Sequence, residues 1–94
     1  MREQDIQNSI LNYLQAKGIF CWRNSVGGTQ KKRYGLKGSA DITGLLKNGR
    51  RLEIEVKSEK GKLSKEQKEF LEMINLNNGL AMVVRSLDDV INRV

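Results

Sequence analysis

The chain has 94 residues, enough for one domain over residues 1–94 and too few for two cores. Hydrophobic residues make up 38%, aromatics 5% and charged residues 30%, which implies a thin aliphatic core and argues against a large internal ligand cavity. Seventeen Lys and Arg against eleven Asp and Glu give a net charge of +6. There is no histidine, which excludes His-ligated zinc and haem, His general bases and the usual serine proteases.

Ile6, Ile10 and Leu14 recur at helical spacing and predict a first helix over about 3–16, stopped by Lys17-Gly18. Ile19-Phe20-Cys21-Trp22 reads as a short buried strand. The segment from Ser25 to Gly38 has four glycines and four basic residues without periodicity, and is expected to be a loop. Residues 40–46 and 51–57 form a β-hairpin around Lys47-Asn48-Gly49-Arg50. Ser64 opens a second helix with Phe70, Leu71 and Ile74 as its apolar stripe and Asn78-Gly79 as its stop. Leu80 to Val84 is an apolar strand, and Ser86-Leu87-Asp88-Asp89 caps a short last helix carrying Val90 and Ile91. The order α-β-β-β-α-β-α predicts an α/β protein of the α+β kind, a mixed sheet flanked by helices.

Residues 23–68 hold thirteen basic and five acidic side chains, a net of +8, the electrostatic footprint of a phosphate-backbone binder. The single Cys21 can form no disulfide within the chain. With no apolar run long enough for a membrane span or a signal peptide, a cytoplasmic protein without a membrane partner is expected.

In the second hairpin strand Leu52, Ile54 and Val56 face one way and Glu53, Glu55 and Lys57 the other. Taken alone, E-x-E-x-K reads as a solvated outer face. A two-residue Asn48-Gly49 turn would mix polar and apolar residues on both faces. A three-residue loop with Gly49 in the left-handed conformation instead pairs Ile42 with Ile54, Gly44 with Leu52 and Asp41 with Glu55. Two carboxylates directly opposed repel unless a cation lies between them, and Mg²⁺ commonly takes one or two protein carboxylates alongside water and phosphate. Lys57, on the same face, would stand beside the metal and a scissile phosphate. Glu3 lies on the apolar stripe of the first helix, although an acid in a first turn also suits the helix dipole. Gln67 lies on the inward stripe of the second helix, yet Ser64-Lys65-Glu66-Gln67 is also a capping box; both roles are expected to coexist only if the side chain alternates.

Gly38-Ser39-Ala40-Asp41, then Ile54-Glu55-Val56-Lys57 and Gln67, resemble the PD-(D/E)xK nuclease superfamily with its restriction-endonuclease-like core, and in particular its VRR-NUC (virus-type replication-repair nuclease) branch. Ala40 stands where the superfamily name has proline. The resemblance implies Asp41 and Glu55 as metal-binding carboxylates, Lys57 as catalytic lysine, Glu3 as a further metal-binding carboxylate and Gln67 as the glutamine of this branch. It also implies hydrolysis of DNA phosphodiesters with Mg²⁺ or Mn²⁺ and no organic cofactor, often at branched DNA. Small stand-alone members resemble phage-borne homodimers acting on four-way junctions.

Arg23, Asn24, Lys31, Lys32, Arg33, Tyr34 and Lys37 are the expected DNA contacts, the bases gripping phosphates and Tyr34 stacking on an unpaired base. Lys60, Lys62 and Lys65 make a second basic strip. Trp22, Met73 and Leu76 are candidates for a dimer surface. The rival readings are a non-catalytic nucleic-acid-binding module whose carboxylates are surface charges, and a subunit that serves only as a protein partner.

Overall fold

The computed structural model describes residues 2–24 and 38–94. Its elements are α1 (Glu3–Ala16), β1 (Phe20–Arg23), β2 (Ile42–Leu45), β3 (Arg51–Val56), α2 (Lys65–Leu76), β4 (Leu80–Val84) and α3 (Leu87–Ile91). They match the expected order, with strand ends trimmed by a residue or two. β1 begins at Phe20 rather than Ile19 because the Ile19 N–H is used by α1. Ile19 N donates to Leu14 O at 2.9 Å and Gly18 N to Gln15 O at 2.9 Å, a Schellman closure of the helix. The same closure ends α2, with Asn78 in the left-handed conformation and Gly79 N bonded to Ile74 O at 2.9 Å. Ser86 stands at the N-cap of α3 but makes no side-chain cap bond. Asp89 instead reaches back to accept from Arg85 N at 2.8 Å.

The four strands lie in the order β1-β2-β3-β4, the first two pairings antiparallel and β3–β4 parallel. A parallel pair needs a crossover, and α2 supplies it. Between β2 and β3 the register sets Ile42 against Ile54, Thr43 against Glu53 and Gly44 against Leu52. Gly49 at φ +89° provides the left-handed residue of the three-residue loop. Arg50 O closes that loop by accepting from Leu46 N at 2.9 Å.

Alternation divides the sheet into two faces. Ile42, Leu52, Ile54, Val56, Met82 and Val84 form one core with Ile6, Ile10 and Leu14 of α1 and Val90 of α3. The other face is covered over β3 and β4 by α2, where Leu71 packs with Ala40 and Ala81. This cover overturns the solvated reading of the E-x-E-x-K face: Glu53 is 0% and Glu55 3% exposed. Over β1 and β2 the same face leaves Phe20, Trp22 and Leu45 exposed. At the far edge the Asn75 side chain plugs β4, accepting from Ala81 N at 2.9 Å and donating to Ala81 O at 3.3 Å. Among the described residues no helix is long and apolar enough to cross a membrane.

Candidate active site

Asp41 immediately precedes β2 and Glu55 lies in β3, so the hairpin register brings the two carboxylates together between the N-terminal turns of α1 and α2. Asp41 Oδ2 accepts from Val56 N at 2.8 Å, which ties the side chain to the neighbouring strand. Lys57 follows on the same face, and its Nζ stands 3.4 Å from Glu55 Oε2. Glu3, the first residue of α1, accepts from Ser58 N at 2.9 Å through Oε2, and its charge is felt at Asp41. The segment leading into Asp41 is pressed against α2. At Gly38, φ is +86°, and a Cβ there would lie 2.5 Å from the Glu66 carbonyl carbon.

Gln67 performs both of the roles that seemed to require alternation. Its Oε1 accepts from Ser64 N at 2.9 Å while Ser64 Oγ accepts from Gln67 N at 3.1 Å, completing the capping box. Its Nε2 simultaneously donates to Glu55 Oε2 at 2.9 Å. The two ends of a primary amide are an acceptor and a donor. Because a backbone N–H can only donate, the cap dictates that the amino end faces the carboxylate.

Burial raises the pKa of both site acids. Glu55 is pushed up to about 7, first by burial and then by the charge of Asp41, with Lys57 opposing. Asp41 is also raised by burial, against the lowering effects of the Val56 N–H and Lys57, with Glu3 adding to the rise. The two carboxyls can share a proton. When both are ionised they are acceptors only, and Glu55 Oε1 is buried without a hydrogen-bond partner among the described residues. An unpaired buried oxygen in a crowded acidic pair is suited to a hard divalent cation. Among the described residues no three Asp, Glu, Cys or His groups converge into a ready-made metal cage.

Of the expected DNA contacts, Lys31, Lys32, Arg33, Tyr34 and Lys37 lie outside the described residues. Arg23 turns toward α1, its guanidinium donating to Asn8 Oδ1. Asn24 is fully engaged within the protein. Its Nδ2 donates to Ala40 O at 2.9 Å and to Thr43 Oγ1 at 2.7 Å, and its Oδ1 accepts from Trp22 Nε1 at 3.1 Å. Sequence reasoning missed Thr43 and Glu53 as partners. The register that opposes Asp41 and Glu55 also opposes Thr43 and Glu53, so the signal was present in the same pairing.

The sequence matches the VRR-NUC domain family over residues 1–88. No curated protein matches it. A solved structure titled "VRR_NUC domain" is similar to this chain with a TM-score of 0.72 and 22% identity, covering 97% of this chain and 95% of that one. At that identity the likeness speaks for the fold, a nuclease-type mixed sheet flanked by helices. With the family match spanning nearly the whole sequence, the chain belongs to the VRR-NUC family.

Proposed function

We propose that this chain is a metal-dependent DNA endonuclease that hydrolyses phosphodiester bonds, and that Asp41 and Glu55 hold Mg²⁺ or Mn²⁺. The observation that carries the reading is a half-buried Asp41 beside a buried Glu55, with one Glu55 oxygen unpartnered among the described residues and Lys57 next to it. Carboxylates serving as surface charges on a binding module would not be buried. When bound, the metal supplies Lewis-acid stabilisation of the phosphate and a more acidic water.

The chain's own residues do the rest. Asp41 is oriented by Val56 N–H and Glu55 by the Gln67 amide, so neither carboxylate has to reorganise on binding. Lys57 places a cation where charge develops on the phosphate and, as a hydrogen-bond donor, orients the attacking water. Glu3 anchors the backbone just after Lys57 through Ser58 and adds negative charge to the site. Lys60, Lys62 and Lys65, together with the basic residues of 25–37, would hold the DNA backbone without reading sequence.

Branched DNA such as a four-way junction is the proposed substrate and a homodimer the acting form, in the cytoplasm of a bacterial or phage-infected cell. Two strands cut symmetrically require two sites, and the exposed Phe20, Trp22 and Leu45 offer an apolar surface on one face of β1 and β2. The test incubates wild type, Asp41→Asn and Lys57→Ala with junction, flap and linear duplex DNA in Mg²⁺, Mn²⁺ or EDTA. Metal-dependent cutting by wild type alone, with metal binding kept in Lys57→Ala, is expected. Absence of cutting by a folded, DNA-binding wild type overturns the reading.

A further inference from the structure

Asp41 lies one residue before β2 and so stands outside the residue pairs that join β1, β2 and β3. Among the described residues its main-chain carbonyl and the one before it are held by Asn24. Asn24 N donates to Asp41 O at 2.9 Å, and Asn24 Nδ2 donates to the preceding carbonyl, Ala40 O, at 2.9 Å. Both carbonyls flanking the Asp41 Cα thus end on Asn24.

Asn24 is itself an exposed residue at the end of a short edge strand, a poor anchor unless it is tied down. It is tied to the interior. Its amide also donates to Thr43 Oγ1 at 2.7 Å, and the Thr43 hydroxyl, 3% exposed as a residue, donates to Glu53 at 3.0 Å and 3.2 Å from the two carboxylate oxygens. Glu53 is fully buried, and Arg51 Nε completes its partners. A buried carboxylate away from the metal pair is costly, and burial is tolerated here because both its oxygens are bonded. The chain Arg51–Glu53–Thr43–Asn24 crosses three strands and ends on the Asp41 peptide.

We infer that Asn24, Thr43 and Glu53 are positioning residues that fix the Asp41 main chain, and through it the metal-binding carboxylate. The inference rests on the metal reading above. Asn24 accordingly acts within the protein rather than as a DNA contact. Partners one bond removed from a metal ligand typically change metal affinity by about 10- to 100-fold when lost.

The experiment measures Mn²⁺ affinity by calorimetry, thermal melting, and DNA affinity in EDTA for wild type, Thr43→Val, Thr43→Ser, Asn24→Ala and the remote core variant Val90→Ala. Expected is a Mn²⁺ Kd raised roughly tenfold or more in Thr43→Val and Asn24→Ala. Thr43→Ser should recover most of the affinity, and Asn24→Ala should keep wild-type DNA affinity in EDTA. Val90→Ala should melt lower with its Mn²⁺ Kd unchanged, separating stability from position. Should Thr43→Val fail to fold, Asn24→Ala decides alone. A wild-type Mn²⁺ Kd in Asn24→Ala overturns the inference, and a fall in its DNA affinity in EDTA would then restore the contact role. Wild type that binds no Mn²⁺ overturns the metal reading and this inference together.

Discussion

Glu55 keeps its proton to about pH 7 in the folded protein, whereas an ordinary glutamate loses it near 4.5. The folded state therefore binds more protons than the unfolded chain across that window, and metal-free stability falls as pH rises from about 4.5 to about 7. Asp41, raised as well, adds to the same slope. Melting curves at stepped pH should show the decline in EDTA and a flatter profile in Glu55→Gln. A second prediction uses the two-ended amide. Gln67→Glu preserves the capping box but turns a carboxylate oxygen toward Glu55, so it should lose roughly 1 to 3 kcal/mol at pH 8 and less at pH 5, by urea denaturation. The Asp41–Glu55 pair was legible in the sequence because Ile42, Ile54, Gly44 and Leu52 permit only one sensible register. The Gln67–Glu55 bond was not, since a capping motif names the partner of one end of the side chain and is silent about the other.

At the level of elements, the close approach of Gly38 to the first turn of α2 decides whether the two halves of the site meet. Gly38→Ala places a methyl on backbone atoms of Glu66 and demands a left-handed alanine. The conformation alone costs about 1 to 2 kcal/mol, and relief of the clash pushes Gln67 away from Glu55. Chemical denaturation should show at least that loss, with weakened Mn²⁺ binding in the variant that remains folded. The helices and the hairpin could be read from period and turn chemistry. Which sheet face each helix covers could not, because alternation defines two faces without assigning their neighbours. That is why Glu53 read as solvated and proved buried under a helix whose apolar stripe was itself recognised.

For the whole molecule, the uncovered half of the sheet is the feature a sequence hides best. Phe20 is 66% exposed, Trp22 40% and Leu45 44%, and the Phe20 and Trp22 rings lie 5.2 Å apart. If this surface joins two copies, Phe20→Glu combined with Leu45→Lys should shift sedimentation to a monomer while leaving the melting temperature of the subunit close to unchanged. Junction cutting should then become single-strand nicking.

Asn75 closes one edge of the sheet. A bare outer strand is a template onto which another chain can add, copy after copy, but the peptide groups of Ala81 at the β4 edge are already matched by an amide from the protein's own helix. Growth through strand pairing is therefore discouraged at β4, while β1 is the other outer strand among the described residues. In the proposed homodimer, a two-fold pair joined on the β1 side would turn both plugged edges outward and close at two copies instead of running on into a fibre.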